Sequence, residues 1–321
     1  MVSTAQALRR VKPKPLHPGM AWIDGGKFRM GSDHHYAEEA PARWVEVDGF
    51  WIDEAPVTNR DFARFVRETG WVTVAERTPD AADYPGALPQ LLAPASLVFF
   101  PTDGPVPLTD VRAWWRYTLG AHWREPLGPG SSLAGLLDHP VVHVAWKDVE
   151  AYARWAGKDL PTEAEWEFAA RGGLDGAEFA WGEELHPHGR IMANTWQGRF
   201  PYETTKRGGN MRTTRVGAFP ANGHGLHDMI GNVWEWTCDW WSATAGRASS
   251  PCCAPRNPRG ASEEDSLDPA CPAAHIPRKV LKGGSHLCAP SYCRRYRPAA
   301  RHAHPVDTST SHIGFRCVVR A

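Results

Sequence analysis

The sequence has no run of about 18 apolar residues, so nothing in it reads as a transmembrane helix. It also lacks net charge. The 36 Lys and Arg residues balance 36 Asp and Glu, which gives no electrostatic reason to expect a polyanion or an anionic lipid surface as partner. Nucleic acid and membrane are therefore not among the expected partners. The first twenty residues carry Arg9, Arg10, Lys12 and Lys14 without an apolar stretch, so they do not read as a secretory signal, and a cytoplasmic protein is expected. No internal repeat is present, and no break in composition separates two cores. A disulfide framework is missing too, because the seven cysteines are odd in number and crowded between positions 238 and 317. In excess are glycine (30), proline (28) and tryptophan (16), a mixture that predicts many turns held in place by large rings.

Residues 1–18 read as a basic flexible tail and 19–321 as one irregular α+β domain. Ala21 to Ser32 has the pattern strand, glycine turn, strand, and Trp44 to Ile52 reads as a further strand. Three helices are predicted. One opens at Thr58, carries Phe62, Phe65 and Val66 on one face and stops at Gly70; a second covers Lys147 to Ala156 and ends at Gly157. The third opens at Thr162 with Glu165 three residues on, a reciprocal capping pattern. Residues 78–138, with Trp114, Trp115 and Trp123, are expected to form an ordered loop anchored by aromatics. Residues 242–278 are expected to be a looser excursion.

The chemistry concentrates in Lys282 to Arg297. Cys288 and Cys293 would face opposite sides of a straight strand, but Ala289-Pro290-Ser291 supplies a turn that could bring them together. Arg294, Arg295, Arg297 and Arg301 are expected to create a cationic field that favours thiolate. Two adjacent thiolates form a soft site suited to Cu(I). The cysteine pattern alone leaves open a structural disulfide between them, or a zinc site completed by His302 and His304.

The chain resembles the formylglycine-generating enzymes of the sulfatase-modifying factor family from Met20 to Cys317. The matching segments include Gly25 to Gly31, Pro56-Val57-Thr58-Asn59, Leu160 to Glu167 with Arg171-Gly172-Gly173, Ala193 to Gly198, Gly231 to Trp236, Gly283-Gly284-Ser285 with the cysteine pair, and Gly314 to Cys317. The resemblance implies a C-type-lectin-like α+β fold. It implies a copper-dependent oxidase that uses O2 to convert the cysteine of a Cys-x-Pro-x-Arg motif in an unfolded sulfatase to Cα-formylglycine. Cys288 and Cys293 would hold Cu(I), with Ser285 as a further active-site residue unless it serves only a turn. Arg301, Asp307, His312 and Tyr292 would line the peptide groove, although Asp307 could simply cap a turn. Trp114, Trp115 and Trp234 would form apolar walls or pack in the core.

The resemblance also implies structural calcium. Asp228, Gly231, Val233 and Glu235 match one site, whereas Glu235 between Trp234 and Trp236 reads by itself as a surface carboxylate. Asn194 and Thr195 match a second, but no carboxylate remains in Thr205 to Asn210, and that site is in doubt. The cysteine that would bridge Cys317 is Ala170 here, and Pro298 replaces another. Cys252 and Cys253 read as spare thiols, and Cys238 and Cys271 as inert. A monomer is expected. The alternatives are a non-catalytic binding module on the same fold and an iron-dependent sulfoxide synthase, whose His-x3-His-x-Glu cluster is absent.

Overall fold

A computed structural model describes residues 17–206, 211–244, 254–270 and 275–321. Residues 1–16 of the predicted tail, Cys252, Cys253 and Cys271 lie outside the described residues. Glycine sets the first strands. β1 (Met20–Ile23) and β2 (Gly26–Met30) do not pair with each other: β1 lies against β4 (Phe50–Asp53) and β2 against β3 (Arg43–Val47). The stretch read as one strand from Trp44 to Ile52 is thus two, broken at Asp48-Gly49. Gly25 sits in the left-handed region at φ 72°, and a Cβ there would meet the Val47 carbonyl oxygen at 2.5 Å, so only glycine lets the β1–β2 turn lie so close to the end of β3.

The three helices form where capping and periodicity place them. α1 (Asn59–Thr69) begins under Thr58, whose hydroxyl accepts from the Asp61 amide at 3.2 Å, and ends at left-handed Gly70. α2 (Trp146–Trp155) starts one residue earlier than expected. Its N-terminus is held by the Asp148 carboxylate, which accepts from the Ala145 amide at 2.9 Å. α3 (Glu163–Arg171) has the predicted reciprocal cap, with Glu165 N–H donating to Thr162 Oγ1 at 3.1 Å and Thr162 N–H to Glu165 Oε2 at 2.7 Å.

The excursion 78–138 is not loop alone. It contains β5 (Ala95–Phe99) paired antiparallel with β6 (Trp115–Leu119), and Trp114 and Trp123 are buried beside them. The larger sheet runs β10 (Ile313–Gly314), β7 (Trp234–Trp240), β8 (Arg278–Lys282), β9 (Arg301–Pro305), and β11 (Val318–Arg320) completes the sheet of β1 and β4. Phe62, Phe65, Tyr152, Trp123 and Phe315 pack edge to face in the main core, each such pair contributing about 0.5–1.5 kcal/mol beyond its buried area. The chain is mixed α+β with few helices and several small sheets, as the sequence predicts.

His143 is fully buried between Ser96 Oγ, 2.7 Å from Nδ1, and the Pro126 carbonyl, 3.0 Å from Nε2. Burial pushes its pKa down to about 4 from 6.5. A folded-state value below the unfolded one means that the unfolded chain takes up the proton first. The contribution of neutral His143 is therefore complete above pH 6.5 and lost as pH falls toward 4, a change of about 3 kcal/mol. Urea-unfolding midpoints measured across that interval are expected to fall steeply in the wild type and less so in His143→Gln. Equal slopes would remove His143 as the cause.

Candidate functional site

β8 delivers the chain to Gly283-Gly284, both left-handed, and there it turns back on itself. A Cβ at Gly284 would stand 2.7 Å from the Arg295 carbonyl oxygen, so glycine is required for the segment 285–293 to lie against 295–296. The Ala289 carbonyl then accepts from both Tyr292 N–H at 3.1 Å and Cys293 N–H at 2.9 Å. This is the turn that Ala289-Pro290-Ser291 predicts. It brings Cys293 Sγ to 3.2 Å from Cys288 Sγ.

Both thiols are free, and 3.2 Å is well beyond the ~2.05 Å of a disulfide, so the disulfide alternative does not hold. The zinc alternative also fails. Among the described residues no three His, Cys, Asp or Glu side chains converge, and His304 Nε2 is taken by the Thr308 carbonyl at 3.0 Å. Cys288 is buried and Cys293 half-buried. Burial, followed by its neighbour Cys293, pushes the Cys288 thiol well above its ordinary value. The hydrogen bond from Cys288 holds Cys293 below it, with help from the amide and charge of Arg295. Cys293 is therefore the thiol of the pair that is biased toward thiolate.

The expected four-arginine field contracts to Arg295. Arg297 is spent on Glu39, with two contacts of 2.7 and 2.6 Å, and Arg301 on Glu163, with two of 2.7 and 2.8 Å. Arg294 pairs with Glu178 at 3.2 Å. A buried guanidinium requires a carboxylate, and these pairs neutralise it locally. Arg295 itself is held by Glu38 at 2.6 Å and lies over the Tyr36 ring at 3.7 Å from its centroid. Tyr36 and Glu38 carry no signal in the sequence, because they lie far from the cysteines along the chain.

Ser285 is fully buried behind Cys288. Its N–H faces Cys288 Sγ at 3.4 Å, and its hydroxyl accepts from Leu287 N–H at 3.2 Å, so it does serve the turn. Tyr292 stacks on Phe200 with centroids 4.5 Å apart and meets Trp114 edge to face. Trp114 and Trp234 are core residues, while half-exposed Trp115 packs on His312 at 4.7 Å. Arg301 is buried in its ion pair and presents no free donor to a peptide through Nε or Nη2. Asp307 accepts from the Tyr84 hydroxyl at 2.5 Å on the wall of a cavity of about 860 Å³, to which the cysteine segment contributes no residue. His312 is tied through Nδ1 to Thr310 Oγ1.

The oxygen ligands divide in two. Asp228, left-handed at φ 55°, is buried, and burial raises its pKa even though Gly217 N–H donates to it at 2.8 Å, so its charge is poorly compensated. A hard cation suits that need. Glu235 is fully buried, not a surface carboxylate, and both its oxygens are taken: Arg316 donates at 2.7 and 2.8 Å and Trp166 Nε1 at 2.7 Å. Asn194 Oδ1, in the second set, accepts from Lys206 Nζ at 2.6 Å. Cys238 is a half-buried free thiol pushed up to about 11, which fits an inert residue. Cys317 is a buried free thiol, since alanine at position 170 offers no sulfur to bridge it.

Residues 5–321 match the family described as sulfatase-modifying factor enzyme 1-like domain. The chain is 53% identical over 298 residues to the formylglycine-generating enzyme of Mycobacterium tuberculosis, covering 92% of this chain and 96% of that one. It is 46% identical over 312 residues to that of Thermomonospora curvata, covering 96% and 95%. Among solved structures it is similar to PvdO from Pseudomonas aeruginosa, at a TM-score of 0.58 and 23% identity over 94% of each chain, which speaks to the fold alone. With the match spanning nearly every residue, the chain belongs to the sulfatase-modifying factor family of formylglycine-generating enzymes.

Proposed function

We propose that this chain converts the cysteine of a Cys-x-Pro-x-Arg motif in an unfolded sulfatase to Cα-formylglycine, with Cu(I) held by Cys288 and Cys293 and O2 as oxidant. The observation that carries the proposal is the packing of two free thiols 3.2 Å apart, one of them biased toward thiolate, in a family whose relatives bear that activity in their names. A pair of soft donors on which no further His, Cys, Asp or Glu converges among the described residues fits Cu(I). When bound, Cu(I) would supply the redox chemistry with O2 and accept the substrate sulfur. The residues of the chain do the rest. Cys293 is the more readily ionised of the two thiols, and burial favours the protonated form of Cys288. Tyr292, next to Cys293 in the chain, is fixed by its stack on Phe200 and its edge contact with buried Trp114. Asp228, with the carbonyls of Gly231 and Val233, is the set that would hold a structural calcium, whereas Glu235, whose oxygens Arg316 and Trp166 occupy, is left to its ion pair.

A non-catalytic module has no use for such a thiol pair. The free state of all four described cysteines favours a reducing, cytoplasmic setting. The purified chain is incubated with Cu(I), air and a Cys-x-Pro-x-Arg peptide, and aldehyde formation is followed by mass spectrometry. Conversion that requires both copper and oxygen is expected. No conversion by protein shown to carry copper would overturn the proposal.

A further inference from the structure

Asn194 is buried with its side chain fully employed. Its Nδ2 donates to the Arg212 carbonyl at 3.0 Å and to Asn232 Oδ1 at 3.3 Å, and its Oδ1 points at Lys206 Nζ, 2.6 Å away. The loop that presents Lys206 is folded on itself: Thr205 N–H donates to the Gln197 carbonyl at 2.8 Å and Trp196 Nε1 to the Glu203 carbonyl at 3.0 Å. From Asn194 the chain of contacts runs on through Asn232, whose N–H donates to the Asn194 carbonyl at 2.8 Å. It ends at His286, whose Nδ1 lies 2.7 Å from the Asn232 carbonyl, two residues from Cys288. The family resemblance implies a calcium site at Asn194 and Thr195, but the carboxylate such a site needs is missing from residues 205–210, and an ammonium stands against the Asn194 oxygen. Two cations cannot share one carboxamide oxygen in a site without an anion.

We infer that the Lys206 ammonium is the built-in cation of this loop, doing through a side chain what a calcium ion would do, and that Asn194 and Thr195 take up no metal. The inference is independent of the chemistry at the cysteines. Calcium retained per chain is measured by atomic emission after equilibration with calcium chloride and desalting, and melting temperatures are recorded in calcium and in chelator. The wild type is expected to keep no more than the one ion of the Asp228 loop. Lys206→Met is expected to lose several degrees of Tm in both media, and Lys206→Glu to lose as much in chelator, regain it in calcium and keep one ion more than the wild type. Two calcium ions per wild-type chain, or a Tm unchanged in Lys206→Met, would overturn it.

Discussion

Replacing either Cys288 or Cys293 by serine is expected to remove peptide conversion, by roughly a thousand-fold or more, which corresponds to about 4 kcal/mol of lost transition-state stabilisation. A hydroxyl is neither soft nor ionised near neutral pH, so the two-sulfur site disappears with either change. The structural cost is smaller and uneven. Cys288 is 2% exposed, and a hydroxyl there is expected to cost about 1–2 kcal/mol, while half-buried Cys293 is expected to cost less. Near-ultraviolet circular dichroism and thermal melting of each variant, set beside aldehyde yield, separate the two effects. Full turnover in either serine variant would end the two-thiol assignment. The pair is also asymmetric: copper-free protein is expected to be alkylated by iodoacetamide at Cys293 before Cys288, because Cys293 is both the more exposed and the more readily ionised thiol.

Much of this site is legible in the sequence because its parts lie close together along the chain. The turn that joins the two sulfurs lies within five residues, and the caps of α1 and α3 are reciprocal pairs three residues apart. What the sequence hides is long-range neutralisation. Arg297 and Arg301 read as a field around the thiols, yet their carboxylates, Glu39 and Glu163, lie 258 and 138 residues away in sequence. The same reason explains Asp307, whose partner Tyr84 is 223 residues distant, and Glu235, which looked exposed between two tryptophans until the strand pairing of β7 turned it toward Arg316. A composition or a motif gives the identity of a charged group but not its partner. For a buried ion that partner decides whether the charge reaches the active site.

Glu235 supplies the largest stability effect. Among the described residues its carboxylate is the only acid hydrogen-bonded to the Arg316 guanidinium, which otherwise donates to the carbonyls of Asp53 at 3.1 Å and His227 at 2.8 Å. Glu235→Gln leaves a fully buried guanidinium without its counter-charge, and this is expected to cost about 3–5 kcal/mol, or roughly 10 °C in Tm. Because the loss comes from the ion pair, it is expected to be the same in calcium and in chelator. Chelation of the wild type is expected to produce a smaller decrease, one that Asp228→Asn reproduces, since Asp228 is the carboxylate whose charge the protein leaves poorly compensated. Replacing the pair together, as Glu235→Leu with Arg316→Met, is expected to recover part of the loss. The recovery is incomplete because the Trp166 indole N–H and two carbonyls are left without partners. If saturating calcium erased the difference between Glu235→Gln and the wild type, the role of Glu235 would lie with the ion and not with Arg316.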